Sequence, residues 1–322
     1  MRPETAAELQ AAGMEPSAVA TIVENALLED VGHPGRQPAE RSGAGDQAAR
    51  PNQYGDVTSI ATIPADHHGE ADLVARAPGV VAGLWVAAAV FQAAPLDDEV
   101  PGAAVARHIE FEAHVADGAA VARGAVLATV AGPTRALLTA ERTALNLLCR
   151  MSGVATHTRA WADALAGTKA RVLDTRKTTP GLRILEKYAV RAGGGTNKRM
   201  GLYDVAMIKD NHKIAAGGLA NAFRLVRAAF PDVPVQVEAT TLAEAVEAVE
   251  AGATFLLLDN MAPDLLREVV AAVGDRAELE ATGGLTLDKV RAFAETGVDY
   301  LSVGALTHSS PILDIALDLR PR

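Results

Sequence analysis

Val235-Gln-Val-Glu238, Phe255-Leu-Leu-Leu-Asp259 and Glu278-Leu-Glu280 are three short apolar runs, each closed by a carboxylate. The closing carboxylates stand 21 residues apart in both steps. Helical patterns fill the intervals at Leu242 to Glu250 and Pro263 to Val273, and another follows at Leu287 to Thr296. That is the rhythm of βα units, whose parallel strands require helical crossovers. Arg171 to Lys177, Val205 to Lys209 and Tyr300 to Gly304 are similar runs ending in charged or small residues, which makes six strands, and a seventh is expected near Tyr188 to Arg191. Eight strands close an ordinary β/α barrel, so the expectation is an incomplete, open one. The C-terminal strand ends of such a barrel share one face, which carries the chemistry, and Arg176, Lys177, Lys209, Glu238, Asp259 and Glu280 all fall at such ends.

The first part of the chain reads differently. Leu73 to Ala77, Arg107 to Val115 and Ala125 to Val130 look like strands, with a helix around Leu84 to Gln92. They predict a smaller, open-faced α/β sandwich of α+β type built on an antiparallel sheet. The expected domains are residues 1–138 for the sandwich, 139–306 for the barrel, and 307–322 as a C-terminal helix packing back on the first domain. A helix over Thr139 to Leu165, with Thr139 as N-cap and Glu141 in its first turn, leads into the barrel. His33 to Gln53 is rich in Pro, Gly, Ala, Gln and Arg without apolar periodicity, which predicts a flexible surface insertion.

Composition narrows the function classes. The 322 residues are 49% hydrophobic and 22% charged, which excludes wholesale disorder, and a net charge of −10 argues against a generic nucleic-acid binder. The single cysteine, Cys149, forms neither an intrachain disulfide nor a multi-cysteine zinc site, pointing to a reducing compartment. No export signal is visible. The most apolar stretch, Ala77 to Leu96, is interrupted by Pro78, Gly79, Gly83, Gln92 and Pro95 and reads as a buried strand and helix, not a membrane span. A soluble, cytoplasmic protein is expected.

Charge is unevenly spread. Between Arg171 and Lys213 lie ten basic residues and four acids, a surplus of six against a deficit of sixteen elsewhere. Such a cluster repels itself unless an anion sits in it or the side chains diverge. A solvated basic face is the ordinary alternative. The alternation of these residues with strand-like and glycine-rich segments favours a binding role.

Particular residues then suggest chemistry. The small-residue turns Ala281-Thr-Gly-Gly284 and Gly304-Ala305 follow the last strands, where backbone N–H groups and the next helix N-terminus can hold a phosphate. Glu238 and Asp259 end adjacent strands and suit ribose hydroxyls or a Mg²⁺ ion shared with substrate phosphates; the alternative is a pair of structural acids neutralising Arg and Lys. Lys209, after Ala206-Met-Ile208, reads as a buried lysine, either a Schiff-base nucleophile or an anion clamp. Arg176 and Lys177 are neighbours on one strand end, so their side chains diverge toward different anionic groups. Val115-Ala-Asp-Gly118 followed by Gly124 to Val130 has the look of a lipoyl-carrier hairpin, but no lysine precedes Lys169 to hold the cofactor.

Longer motifs carry a resemblance. Asp174-Thr-Arg-Lys-Thr-Thr-Pro-Gly-Leu-Arg183, Tyr188-Ala-Val-Arg-Ala-Gly-Gly-Gly195 and Ile208-Lys-Asp-Asn-His212 resemble the quinolinate phosphoribosyltransferases. Thr139 to Asn146, Val237-Glu238, Leu258-Asp-Asn260, the Gly283-Gly284 turn and Ser302-Val-Gly-Ala-Leu-Thr-His308 are similar too, so the resemblance covers nearly the whole chain. It implies conversion of quinolinate and phosphoribosyl pyrophosphate to nicotinate mononucleotide, pyrophosphate and carbon dioxide, with Mg²⁺, in de novo NAD synthesis. It further implies that Arg142, Arg176, Lys198, Arg199 and Lys209 surround quinolinate, with Arg142 reaching in from the partner subunit of a homodimer or dimer-based oligomer. Lys177, Lys209, Glu238 and Asp259 would hold the sugar pyrophosphate, and the turns at Thr282, Gly283 and Gly284 and at Gly304 and Ala305 would cradle its 5′-phosphate. No nucleic acid or membrane partner is implied.

This sequence departs from the family pattern twice. Lys198-Arg199 stands where His-Arg is usual, replacing a group that titrates near 6.5 in model compounds by one near 10.4. The family's Glu-Asp-x-Gly-x-Gly-Asp-x-Thr run is split into Glu29-Asp-Val-Gly32 and Gly55-Asp-Val-Thr58 by the insertion. Rival readings are a paralogue with another acceptor, a Schiff-base aldolase using Lys209, and a non-catalytic anion sensor. Deleting His33 to Gln53 is expected to leave steady-state activity intact; a folded but inactive deletion protein would refute that.

Overall fold

The computed structural model describes residues 1–32, 55–95 and 108–321, so the insertion at 33–53 lies outside the described residues. The chain divides into two units, Met1–Gly153 with Pro311–Arg322, and Val154–Ser310.

The first unit opens with α1 (Pro3–Ala11) and α2 (Pro16–Val31), each carrying proline in its first turn, where no N–H is missed. In α3 (Val57–Thr62) the Asp56 side chain accepts from the N–H groups of Thr58 and Ser59. β1 (His68–Ala75) and β2 (Gly79–Val80) precede α4 (Leu84–Ala93), whose Leu84 and Val86 to Phe91 are all buried. A helix apolar on every side belongs inside a core, which accounts for the Ala77 to Leu96 stretch without a membrane. No described helix is long and apolar enough to cross one. β3 (Glu110–Ala113), β4 (Ala120–Val121) and β5 (Val126–Pro133) follow. Phe111 of β3 meets the rings of Trp85 and Phe91 at 6.2 and 6.4 Å, seating α4 on the sheet. α5 spans Thr134–Ala164 and carries residues of both units. It begins one turn before the expected Thr139, whose hydroxyl instead donates to the Arg135 carbonyl within the helix.

In the second unit β6 (Arg171–Leu173) leads to α6 (Arg183–Ala192). The seventh strand expected near Tyr188 to Arg191 is therefore helix. Leu185, Ala189 and Val190 are buried at helical spacing, a pattern a four-residue reading cannot separate from alternation. What pairs with the outer side of β6 is one parallel bridge, Leu173 to Thr196. Then come β7 (Ala206–Ile208), α7 (Asp210–Ala216), α8 (Leu219–Ala229), β8 (Val235–Ala239), α9 (Leu242–Glu250), β9 (Phe255–Asp259), α10 (Pro263–Val273), β10 (Glu278–Thr282), α11 (Val290–Ala294), β11 (Tyr300–Ser302) and α12 (Ala305–His308). The sheet is parallel throughout, in the order β6-β11-β10-β9-β8-β7.

The tail corrects an expectation. Residues 307–322 do not form a C-terminal helix; after the one-turn α12 they run to β12 (Ile315–Leu319), which pairs antiparallel with β1. Apolar residues recur every second position (Leu313, Ile315, Leu317), a strand period, while Asp318 and Arg320 on the alternate positions pair with Arg76 and with Glu70 and Asp72. β12 thereby completes a four-stranded antiparallel sheet ordered β12-β1-β5-β3. Gly153 allows the close approach of this tail, since a Cβ there would lie 2.1 Å from the Pro311 carbonyl oxygen. Because Ile315 is 4% exposed, Ile315→Ala is expected to cost about 2–5 kcal/mol of stability, read as a lowered urea midpoint.

Candidate active site

Parallel strands end on a common side, and there the second unit holds a cavity of about 810 Å³. Every strand of the sheet, or the turn after it, contributes to the lining: Arg176 and Lys177 after β6, Lys209 after β7, Glu238 on β8, Asp259 on β9, Thr282 to Gly284 after β10, and Gly304 and Ala305 after β11. Lys198 and Arg199 line it from the segment after Thr196. Of the sequence-derived site residues only Arg142 is absent from the lining; it is exposed on α5 in the first unit.

The basic window is divided in its labour. Lys187 is fully buried and meets the equally buried Asp174 at 2.6 Å. Asp174 also accepts from the Lys198 backbone N–H and the Asn197 side-chain amide, both at 2.8 Å. Burial pushes Asp174 up and Lys187 down, and their contact opposes both shifts. Lys213 pairs with Asp210 and Glu244, and Arg183 donates to Thr178 and to the Met200 carbonyl. These cations hold the scaffold and do not line the cavity.

Five other cations of the window, Arg176, Lys177, Lys198, Arg199 and Lys209, line it. Arg176 and Lys177 lie in the turn beyond β6, which ends at Leu173 and not at Lys177 as expected, and both line the cavity. Neither has an ion-pair partner among the described residues, and Arg176 Nε is buried without a hydrogen-bond partner. Burial and the nearby Arg176 guanidinium together push Arg199 down, the sign of cations crowded where an anion belongs. Lys198 meets Glu280 at 2.5 Å below this surface. Lys209 departs from expectation: its side chain is 51% exposed, 3.4 Å from Glu238, and not buried. A Schiff-base lysine is activated by desolvation or a cationic neighbour, and half-exposure at the cavity edge removes the first of these supports.

The phosphate-type turns have distinct geometries. Gly283 has φ +97, and a Cβ there would lie 2.1 Å from Asn260 Oδ1, so the turn tolerates only glycine. The helix expected from Leu287 begins at Val290, too far along for its dipole to act on Gly284. After β11, by contrast, Ala305 opens α12 directly. Asn260, His308, Thr175 and Ser302 also line the cavity. Asn260 and His308 stood inside motifs quoted above, but no spacing rule marked them as site residues. Among the described residues no three His, Cys, Asp or Glu side chains converge as a metal cage.

Residues 56–152 and 154–318 match the families described as quinolinate phosphoribosyl transferase, N-terminal domain and C-terminal domain. This chain belongs to the quinolinate phosphoribosyltransferase family. It is 49% identical over 271 residues to "Nicotinate-nucleotide pyrophosphorylase [carboxylating]" of Mycobacterium leprae, covering 83% of this chain and 92% of that protein. It is 44% identical to the "Probable nicotinate-nucleotide pyrophosphorylase [carboxylating]" of Bacillus subtilis, covering 82% and 88%. The crystal structure of NadC from Streptococcus pyogenes superposes with a TM-score of 0.82 at 34% identity, covering 95% of this chain and 98% of that one. Members of the quinolinate phosphoribosyltransferase family thus share both of this chain's units.

Lys187→Met would strand Asp174 as a buried, uncompensated charge. The expected loss is about 3–5 kcal/mol in urea unfolding, and an unchanged midpoint would sink the scaffold role assigned to the pair.

Proposed function

We propose that this chain transfers a phosphoribosyl group from phosphoribosyl pyrophosphate to quinolinate, releasing pyrophosphate and carbon dioxide and leaving nicotinate mononucleotide for NAD synthesis. The observation that carries this reading is one cavity holding Arg176, Lys177, Lys198, Arg199 and Lys209 opposite Glu238 and Asp259. A pyridine dicarboxylate and a pyrophosphorylated sugar phosphate together bring several negative charges, and clustered cations are what such reactants need. That every strand end feeds one cavity supports a sheet curled into an open β/α barrel, with an open-faced sandwich before it.

Arg176 and Arg199, with Lys198, take the acceptor carboxylates, while Lys177 and Lys209 take the pyrophosphate. Backbone amides at Thr282 to Gly284 and at Gly304 and Ala305 receive the 5′-phosphate. As pyrophosphate departs, positive charge develops at the ribose carbon, and the role proposed for Glu238 and Asp259, which line the cavity, is to offset it. Attack by the ring nitrogen makes a pyridinium, whose electron demand eases loss of the adjacent carboxylate as carbon dioxide, and the electron pair left on the ring carbon takes up a proton from water. Glu238 and Asp259 also fit Mg²⁺, because that ion is commonly held by one or two carboxylates with substrate phosphates and needs no protein cage. Bound with the pyrophosphate, Mg²⁺ supplies charge neutralisation to the leaving group. Arg142, exposed on α5, is proposed to enter the acceptor site from the partner subunit of a homodimer in the cytoplasm.

A coupled assay tests the reading: carbon dioxide is released from quinolinate plus phosphoribosyl pyrophosphate, and nicotinate yields none. Glu238→Ala and Asp259→Ala are each expected to lower kcat roughly a hundredfold or more. Unchanged behaviour in both variants would favour the anion-sensor alternative, and turnover with another acceptor only would favour the paralogue.

A further inference from the structure

We propose that Glu280, braced by Gln236, is a positioning residue that fixes the Lys198 ammonium at the floor of the acceptor site. This rests on the reading of the cavity as a quinolinate site and assigns roles to two side chains that reading leaves unused.

Register places the parts. Glu280 of β10 stands opposite Leu257 of β9, which stands opposite Glu238 of β8, so the Glu280 side chain shares the cavity-facing side of the sheet with Glu238. Gln236, two residues before Glu238, faces the same way, and its Nε2 donates to Glu280 Oε2 at 2.7 Å. Both Gln236 and Glu280 are fully buried. The same carboxylate oxygen meets Lys198 Nζ at 2.5 Å, and Nζ sits 5.8 Å from the centre of the Phe255 ring. Glu280 Oε1 and Gln236 Oε1 are buried without hydrogen-bond partners, and Lys198 is the carboxylate's one ion-pair partner among the described residues. A carboxylate in that position holds its cation firmly, because leaving it alone in a low-dielectric interior is costly. An ammonium has three donors. Glu280 engages one, and the side chain, 8% exposed, still borders the cavity, where a further donor can meet an acceptor carboxylate.

Geometry separates this device from the other lysines of the site. Lys209 is half exposed and 3.4 Å from Glu238, whereas the Lys198 side chain is 8% exposed and meets Glu280 at 2.5 Å. The charged or titratable groups around Lys198 are Glu280 on β10, Arg199 beside it in the chain and Lys209 before α7, with the Tyr300 phenol of β11 beside Glu280 in register. Burial pushes Lys198 down and Glu280 opposes that shift.

Steady-state kinetics with quinolinate and phosphoribosyl pyrophosphate test the proposal. Glu280→Gln is expected to raise the quinolinate KM about ten- to a hundredfold, the loss of one charge-assisted hydrogen bond, with the phosphoribosyl pyrophosphate KM within about twofold. Should that variant fail to fold, Glu280→Asp takes its place, with a smaller rise in the same KM. A second readout follows from Lys198→His. Its quinolinate KM should climb with pH around a midpoint that burial lowers and Glu280 raises. In Lys198→His/Glu280→Gln that midpoint should fall by about one pH unit or more. An identical midpoint in both, or a Glu280 variant that weakens both substrates equally, overturns the positioning role. If Lys198→Met leaves the quinolinate KM unchanged, Lys198 is not in the acceptor site, and that part of the functional reading fails with the proposal; a raised KM in Lys198→Met with none in the Glu280 variants overturns the proposal alone.

Discussion

Asp174 is the point from which the site is hung. Its carboxylate has no exposure to water, and three donors converge on it: the Lys187 ammonium, the Asn197 amide and the Lys198 backbone N–H. Acceptor and donors join three separate stretches of chain: Asp174 just beyond β6, Lys187 in the body of α6, and Asn197 and Lys198 in the segment after Thr196. A buried ion pair adds little net stability compared with apolar residues of the same volume, but removing one partner is severely destabilising. Its value here is geometric. Arg176 and Lys177 follow Asp174 by two and three residues, and Lys198 and Arg199 are bonded to it directly or next in line, so one carboxylate sets the spacing between two pairs of cavity cations.

That arrangement explains why so basic a stretch folds without flying apart. Half of its cations are not for ligands at all. Lys187, Lys213 and Arg183 tie helices and loops to strand ends through short contacts, which leaves fewer like charges to crowd the cavity. The sheet interior continues the pattern, with Gln236, Glu280 and Lys198 forming a polar layer above the T-shaped Phe255 and Tyr300 ring pair, 6.0 Å between centres. The low dielectric of such a layer strengthens the Lys198–Glu280 contact.

The strand-end carboxylates were legible in the sequence because their 21-residue spacing reflects a covalent repeat: one strand, one turn, one helix. Helices α9 and α10 coincide with the expected Leu242 to Glu250 and Pro263 to Val273, both bounded by local signals, Thr241 accepting at the N-cap of one and Pro263 opening the other. The readings that failed depended on partners distant in the chain. Tyr188 to Arg191 is too short to distinguish a strand from a helix until its neighbours are known. The tail is a strand because β1, more than 200 residues earlier, offers an edge. Lys209 follows an apolar strand and was expected to be buried, yet the strand ends at Ile208 and the side chain emerges at the lip. The split between scaffold and cavity cations was equally invisible, since Lys187 and Lys198 differ in which acid they meet, not in local sequence character.

The distribution of tight and loose pairs has a chemical consequence. Close, buried pairs lie beneath or beside the cavity: Lys187 with Asp174 at 2.6 Å and Lys198 with Glu280 at 2.5 Å. The charges at its surface are loosely engaged. Lys209 and Glu238 stand 3.4 Å apart, Asp259 accepts from the Asn260 amide at 3.0 Å, and Arg176 and Lys177 have no ion pair among the described residues. A site whose every charge had a tight partner would have to break pairs before accepting a reactant, and that work would be subtracted from binding. Oriented charges held by a second layer avoid it, because their reorganisation was completed on folding. The tight pairs below are therefore what permits the loose ones above to stay unsatisfied, fixed in place and ready for anions.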